Sequence, residues 1–176
     1  LDAASGNTIT MCNKVVCGDF CTVLSLIYDH IDNIDNIVKC QGSNTICCDC
    51  ALKFTAVFYS YNNNITLQNY NKRKTLLLRF YEQCPAEIMF LLASHTLMYN
   101  EVIEDSQKLI LEYYSLAAEK DSKYYKNLAN YVLDLHLSGK YNEIPENMIF
   151  YYSKAYENGY PDAYINLTTY FIHEND

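Results

Sequence analysis

The residues with the greatest capacity for chemistry are cysteines, and they crowd the start of the chain. Seven of the eight cysteines lie between residues 12 and 50: Cys12, Cys17, Cys21, Cys40, Cys47, Cys48 and Cys50. Thiolates hold zinc in tetrahedral sites, and paired thiols form disulfides in oxidising compartments. Because exposed unpaired thiols are open to oxidation, we expect this cysteine cluster to be tied by metal or by disulfides.

Three interpretations of the cysteine cluster stay open. In one, thiolates from 12–21 and 47–50 share a zinc ion, with His30 as a further ligand, although the spacing matches no standard zinc knuckle. In another, which we favour, Cys12 or Cys17 forms a disulfide with the 40–50 stretch. In the third, the thiols are free and pack as small apolar groups. Apart from this zinc, the sequence predicts no cofactor.

Other residue types that carry out catalysis have structural explanations here. Cys84 and His95 lie on one predicted helix, about 16 Å apart along its axis, which is too far for a nucleophile and its base. Acidic residues at 101–105 fall at the start of the predicted helix 102–120, where carboxylates offset the helix dipole. The chain contains no phosphate-binding loop, dinucleotide fingerprint or nucleophile elbow. We therefore expect that the protein is not an enzyme.

Composition argues against two further classes of function. The chain has 176 residues, enough for one domain with a continuous core, and a net charge of −8. Binding to nucleic acid phosphates needs a basic face, so we expect no nucleic acid partner. We interpret the basic run Lys72-Arg73-Lys74 as the solvated start of a helix. No apolar stretch reaches the ~18 residues that a membrane span requires, so we expect no membrane-spanning segment.

The compartment is indicated by three features. The chain has no charged-then-apolar leader, but it begins at Leu1 rather than at Met, which is compatible with a processed signal. Two sequons, Asn64-Ile-Thr66 and Asn166-Leu-Thr168, fit secretion. Disulfides in the cysteine cluster would fit it too. We therefore favour a secreted or lumenal location over a cytoplasmic one.

The C-terminal part of the chain contains a repeated sequence unit, which predicts its helices. The segment Ile110-Leu-Glu-Tyr-Tyr-Ser-Leu-Ala-Ala-Glu119 returns as Ile149-Phe-Tyr-Tyr-Ser-Lys-Ala-Tyr-Glu157, and 125–130 returns as 164–169. The offset is 38 residues over most of the first segment, where Tyr113 returns as Tyr151 and Glu119 as Glu157, and 39 for the second segment. A fixed period of this length, built from two helical patterns, is typical of a helical solenoid that presents a binding surface.

Carried towards the N-terminus, the repeat predicts an all-α fold, an α-solenoid of about four antiparallel helix pairs. We divide the chain into a cysteine-rich N-terminal cap with the first helix, 1–50, and Sel1- or TPR-like helical repeats, 51–176. Polar segments at 62–71 and 137–145 are expected to be long connections. The opening helix and the four second helices are expected near 19–38, 48–61, 85–99, 122–137 and 161–173.

Helix boundaries are marked by residues with special backbone preferences. Pro85 and Pro161 each lie where a helix is expected to begin, because the missing amide hydrogen costs nothing there. Ser122 is expected to cap the N-terminus of its helix. Gly139 and Gly159 fall just after expected helix ends, where the left-handed conformation is easiest for glycine.

The last unit carries a family resemblance. Lys154-Ala-Tyr-Glu-Asn-Gly-Tyr-Pro-Asp-Ala-Tyr-Ile-Asn-Leu-Thr-Thr-Tyr-Phe171 resembles the Sel1-like repeat, a relative of the tetratricopeptide repeat (TPR). The main slots of the family pattern are filled by Ala155, Glu157, Gly159, Ala163, Leu167 and Phe171. The preceding unit matches it less fully, with Asp121 and Ala129 where the family has glycine. The resemblance is good over 109–173 and weak over 74–99. It implies a non-enzymatic adaptor that holds another protein on a curved surface.

Tyrosines on the first helix of each pair are the candidate partner-binding residues: Tyr81, Tyr113, Tyr114, Tyr151 and Tyr152. In TPR-like stacks the inner faces of these helices line the concave groove, as the resemblance implies. Of two adjacent tyrosines on a helix, one leans toward the partner helix and the other toward groove or solvent. Tyrosine suits recognition because it buries a large area at low entropic cost. Packing between helices is the alternative role for each of them.

Two functions follow from these patterns. The first is a protein–protein interaction adaptor that binds a peptide or protein partner on the concave face of a Sel1-like solenoid. The second is a secreted or lumenal recognition protein, of viral or other pathogen origin and directed at a host, whose tied N-terminal module makes the contact. Neither identifies the partner or the oligomeric state.

The first prediction concerns the cysteine cluster. Residues 1–18 have little apolar periodicity, so a covalent or metal tie is needed to hold them against the rest of the fold. The adjacent Cys47 and Cys48 should have different partners, because a bridge between neighbours strains the backbone. Thiol titration in denaturant, with and without reductant, should find that most thiols are masked, or a zinc assay should find bound metal. Free thiols at most of the eight cysteines, without zinc, would show that both ties are wrong.

Overall fold

The computed structural model describes residues 9–10, 38–39, 48, 51–52, 55, 64–140 and 145–174. The chain divides into two compact units. The first unit comprises Leu1–Ile88 and Glu101–Ile103, and the second comprises Met89–Asn100 and Glu104–Asp176. The boundary predicted at residue 50 and most of the predicted opening helix lie outside the described residues.

In the first unit, the described residues include a pair of short strands and a long helix. Strands β1 (Ile9–Thr10) and β2 (Val38–Lys39) are parallel and pair Ile9 with Val38. Val38 was expected to end the opening helix and lies in a strand instead, where β-branched residues are favoured. Helical residues at 48, 51, 52 and 55 agree with the second helix expected near 48–61. Helix α1 follows at Leu67–Arg79.

Helix α1 begins inside the segment that we expected to be a long polar connection. Thr66 has extended backbone, and its hydroxyl oxygen accepts a hydrogen bond from the Asn69 amide at 3.2 Å. The Asn69 side chain donates back to the Asn64 carbonyl at 2.8 Å. A threonine N-cap satisfies a donor that the first turn leaves unpaired. The expected connection 62–71 is therefore wrong from residue 67 onward, because a cap and a buried Tyr70 stabilise a helical turn there.

The basic run lies in the middle of α1 rather than at a solvated helix start. Asn69, Tyr70, Arg73, Leu76 and Leu77 are buried at helical spacing, and Arg73 retains only 1% of its exposure. Our interpretation of Arg73 as solvated was wrong, since its position falls on this inner stripe. Lys72 and Lys74, one position to either side, are half-buried.

Helix α2 (Pro85–Met98) contains the boundary between the two units, which falls after Ile88. Pro85 is its first residue, as predicted, and the Cys84 carbonyl accepts the amide of Ile88 at 2.9 Å. Proline is tolerated at this position because the first-turn amides have no partner within the helix.

The described part of the second unit continues with four further helices. They are α3 (Ser106–Lys120), α4 (Tyr125–Leu137), α5 (Pro145–Glu157) and α6 (Ala163–Glu174), with a 3₁₀ turn at Ser122–Tyr124 before α4. Apart from the β1–β2 pair, every element of the described residues is helical. The predicted all-α class is confirmed for the part of the chain that the structure describes.

Several helix starts differ from prediction. Helix α3 begins at Ser106 rather than at 102, because Asp105 has φ 53 and a left-handed residue cannot continue a right-handed helix. The acidic residues at 101–105 therefore precede the helix, and its first turn carries no carboxylate. Asp121, not Ser122, caps the next turn, because its carboxylate accepts the Lys123 amide at 3.1 Å. Helix α6 begins at Ala163, two residues after Pro161.

Both glycine stops are confirmed. Gly139 has φ 68 and Gly159 has φ 85, the left-handed region in which a side chain is strained. After α4, Gly139 donates to the His136 carbonyl at 2.9 Å and Lys140 to that of Leu135 at 3.0 Å. The same pair of bonds closes α5 beyond Gly159, so both helices end in a Schellman motif.

Helix α4 is at the centre of the second unit, where it packs against α3, α5 and α6. The register of the repeat makes Leu92, Leu128 and Leu167 equivalent positions that should be buried, and their exposed fractions are 0%, 2% and 9%. Short turns at 121–124 and 158–162 join α3 to α4 and α5 to α6. Packed helices joined by turns this short run antiparallel.

None of the described helices combines the length and the apolar content that a membrane crossing requires.

The second prediction tests the core around α4. Leu128→Ala should reduce the free energy of unfolding by about 2–5 kcal/mol, because it leaves a cavity among α4 and its neighbours. Leu137→Ala on the same helix is the matched control: that side chain is 38% exposed, so its loss should cost about 0.5 kcal/mol or less. Denaturant titration measures both. Equal costs would show that the register assigned to α4 is wrong.

Candidate functional site

A groove opens in the second unit between α3 and α5, with α4 as its floor. Its volume is about 200 Å³. Small-molecule pockets usually enclose roughly 300–1,000 Å³, so this groove suits one or two side chains of a chain lying across it. Its lining residues are Leu111, Glu112 and Ser115 from α3, Leu128 and Val132 from α4, and Asn147 and Tyr151 from α5.

The sequence places these residues by helical spacing. The inner stripe of α3 is Ile110, Tyr113, Tyr114, Ala117 and Ala118, at steps of three and four. Leu111 and Ser115 each follow a residue of that stripe, so they lie along its edge. Leu128 and Val132 are four residues apart on α4, and Asn147 and Tyr151 are four apart on α5, so each pair shares one face of its helix.

The polar side chains of the groove are available to a ligand. Glu112 and Asn147 are exposed and Ser115 is half-buried. Within the described residues, none of the three side chains makes a hydrogen bond or an ion pair. The floor from Leu128 and Val132 is buried and apolar. An apolar floor with polar groups at its edge is typical of protein interaction surfaces.

The structure distributes the five candidate tyrosines unequally. On α5, one of the two adjacent tyrosines is buried and the other faces the groove, as expected. Tyr152 is 1% exposed, whereas Tyr151 is half-buried and lines the groove. On α3 it is wrong, because Tyr113 and Tyr114 both fall on the inner stripe and are 8% and 7% exposed. Tyr81 lies in the turn after α1 rather than on a helix, since α1 ends at Arg79.

The tyrosine of the groove is held by other aromatic rings. The Tyr151 ring stacks on Tyr125 with 6.2 Å between centroids and 26° between planes. The Phe150 ring makes edge-type contacts with Tyr125 and Tyr151, with centroid separations of 6.0 Å and 5.8 Å. Such contacts stabilise a particular ring orientation, so Tyr151 is partly ordered before any ligand binds. Its recognition role remains a prediction.

A hydrogen-bond network ties α5 and α6 to α4 behind the groove. The Asn130 side-chain oxygen accepts from the Tyr152 hydroxyl at 3.3 Å and from the Asn166 amide nitrogen at 2.7 Å. Burial, together with the Asp134 carboxylate, raises the pKa of Tyr152. The Asn166 amide of the second sequon is thus engaged on a helix, whereas the first sequon begins at Asn64, an exposed residue ahead of α1.

The cysteine cluster lies almost wholly outside the described residues. Cys48 is described and is a half-buried free thiol. In the described part of the chain, no group of three or more His, Cys, Asp or Glu side chains is placed to hold a metal ion. The disulfide and zinc hypotheses, and the N-terminal recognition module that depends on them, stay predictions.

Cys84 and His95, which were considered as a catalytic pair, are both buried in the core. Cys84 is 2% exposed, and its thiol donates to the Phe80 carbonyl at 3.7 Å. The His95 ring is 2% exposed and packs against Tyr99 with 4.6 Å between centroids. Both positions agree with the structural role that the sequence indicated for them.

Sequence reasoning singled out Tyr151 and Leu128 but missed the rest of the groove. The sequence pattern does not distinguish Glu112, Ser115 and Asn147 from other surface residues. They line one groove because of the way α3 and α5 lie across α4. The signal that was present is the four-residue spacing within each helix, which marks a common face.

No protein-family model, curated protein or solved structure matches this chain. The Sel1-like resemblance therefore depends on the sequence residues quoted for it and stays a prediction.

The third prediction follows from the half-buried phenol of Tyr131. Burial, with the neighbouring Tyr114, raises the pKa of Tyr131 to about 12 from the ordinary 10.0. The folded protein thus keeps a proton that the unfolded chain loses, so this stabilisation is complete below about pH 10 and is lost as the pH rises towards about 12. Denaturant titrations should show the free energy of unfolding falling across that window, and falling less in Tyr131→Phe. The same fall in both proteins would contradict the prediction.

Proposed function

We propose that this protein is a non-enzymatic adaptor that binds a peptide or protein segment in the groove between α3 and α5, the concave face of a Sel1-like helical solenoid. The observation that carries the proposal is the groove itself: two first helices flank it, a second helix forms its floor, and an aromatic ring lines it.

The recurrence of burial supports the solenoid. Three inner positions of α3 return on α5 at the same offset of 38 residues and are buried in both: Ile110 and Met148, Tyr114 and Tyr152, Ala117 and Ala155. Contacts between helix pairs also recur at one separation, because Ser122 donates to Asn158 and Asn166 donates to Asn130, each 36 residues apart. Stacked repeats make such contacts between neighbouring units.

The chemistry of the groove supports binding rather than reaction. Its titratable lining residues are one carboxylate, from Glu112, and one phenol, from Tyr151, with no histidine, cysteine or lysine among the lining residues that the structure describes. Acid–base or nucleophilic catalysis requires a second group placed to exchange a proton with the first. A tyrosine over an apolar floor instead matches the anchors of protein interfaces.

The fourth prediction tests the groove with peptides selected from a random phage-displayed library on the immobilised protein. Tyr151→Ala should weaken the selected peptides by about tenfold, as loss of a central aromatic contact does. Tyr156→Ala is the matched control, because that tyrosine is on the same helix, is 47% exposed and does not line the groove. Fluorescence polarisation measures both affinities.

Two results would count against the proposed function. The first is a selection that yields no peptide above background. The second is a set of peptides that bind Tyr151→Ala as tightly as the parent. Circular dichroism of each variant separates loss of binding from loss of fold.

A further inference from the structure

We infer that the groove selects a segment in which a basic side chain, Arg or Lys, stands next to an apolar one. This inference rests on the proposed function, because it names the chemistry of the partner for the same groove. It depends on the charges and the ring that line the groove.

The groove carries a negative charge that the described residues do not neutralise. Glu112 is the one charged residue among its lining residues, and its carboxylate makes no ion pair within the described part of the chain. Lys108 lies one turn earlier on α3 and is exposed, but it forms no salt bridge with Glu112. A carboxylate in this position attracts a cation from a partner.

Lysines on α4, on α5 and in the turn before α4 contact groups other than Glu112. Lys154 on α5 pairs with Glu157 at 2.7 Å, and Lys123 pairs with Asp121 at 2.6 Å. Lys126 on α4 lies over the Tyr160 ring, 5.0 Å from its centroid. None of these interactions involves Glu112, so a cation for it would come from the partner.

The neighbours of Glu112 suit a cationic side chain in particular. Tyr151 presents an aromatic ring, which attracts Arg and Lys through its negative face. The Asn147 and Ser115 oxygens add acceptors for the several N–H groups of a guanidinium or ammonium. Carboxylate, aromatic ring and amide together match the way in which proteins recognise arginine.

The apolar part of the specificity comes from the floor of the groove and from Leu111 at its α3 edge. Leu111, Leu128 and Val132 form a surface without hydrogen-bonding side chains, and the last two are buried at 2% and 3% exposure. A volume of about 200 Å³ admits an apolar side chain here beside the cation. The net charge of −8 also favours the approach of a basic partner over an acidic one.

The experiment uses the phage-selected peptides and Glu112→Gln, which removes the charge and keeps the shape. Peptides selected on the parent should be enriched in Arg or Lys beside an apolar residue. Replacing that basic residue by Gln in the peptide should weaken binding to the parent about fivefold, and should change binding to Glu112→Gln by less than about twofold. Raising the salt from about 0.05 M to about 0.5 M should reduce the parent's preference, since salt screens exposed charges.

Glu119→Gln is the matched control. It removes the same charge from the same helix two turns away, at an exposed residue outside the groove. A preference that survives in Glu119→Gln and disappears in Glu112→Gln assigns it to the groove rather than to the overall charge. Glu112→Lys should invert the preference towards Asp or Glu, provided that circular dichroism shows the parent fold.

The failures can be told apart. Peptides that depend on Tyr151 but show no basic preference, or whose preference survives in Glu112→Gln, overturn this inference and leave the proposed function standing. Equal loss of preference in Glu119→Gln overturns it as well, in favour of a general charge effect. If no selected peptide depends on Tyr151, the proposed function is overturned and this inference with it.

Discussion

Helix α4 has to bury a wide face against three helices, and most of the second unit follows from that requirement. Leu128, Ala129, Val132, Leu133 and Leu135 are all buried, so α3, α5 and α6 must approach α4 closely. Asn130 lies at the edge of this face and is half-buried. It would be costly there without partners, and hydrogen bonds from Tyr152 and Asn166 satisfy it while fixing α5 and α6 in register.

The same packing creates the groove. Because α3 and α5 both lie on α4, the space between them has an apolar floor at Leu128 and Val132 and polar edges from outer residues of the two helices. On helix α6, by contrast, the equivalent apolar positions are exposed. Phe171 and Ile172, which follow Val132 and Leu133 by the offset of 39, are 44% and 60% exposed, against 3% and 7% on α4. The difference between the two helices lies in what covers them, since the apolar pattern is shared.

For the second unit, the sequence predicted the helical class and the repeat spacing better than the residues at which helices begin. Apolar periodicity places Leu92, Leu128 and Leu167 correctly, and glycine chemistry places both Schellman stops, because these depend on local pattern. The start of α3 was missed, since the left-handed Asp105 has no signature that separates it from other acidic residues. Arg73 and the pair Tyr113–Tyr114 were misplaced because burial on an inner stripe depends on which helices surround it. For the groove, the sequence could show only which residues share one face of each helix. The proximity of Glu112 to Tyr151 depends on how the helices pack against one another.

Glu112 is unpaired among the described residues although Lys108 lies one turn before it on α3. On an isolated helix, a lysine four residues before a glutamate is the less favourable order for an ion pair, and Lys108 precedes Glu112 in that order. Lys154 precedes Glu157 in the same order but by three residues, and these two groups do pair, at 2.7 Å; the Lys154 Nζ also lies 5.9 Å from the Phe150 ring centroid. Hydrogen bonding to Glu157 raises the pKa of Lys154 and keeps its charge at this pair. The Glu112 carboxylate thus has no pairing cation among the described residues, whereas the Lys154 ammonium on α5 is paired with Glu157.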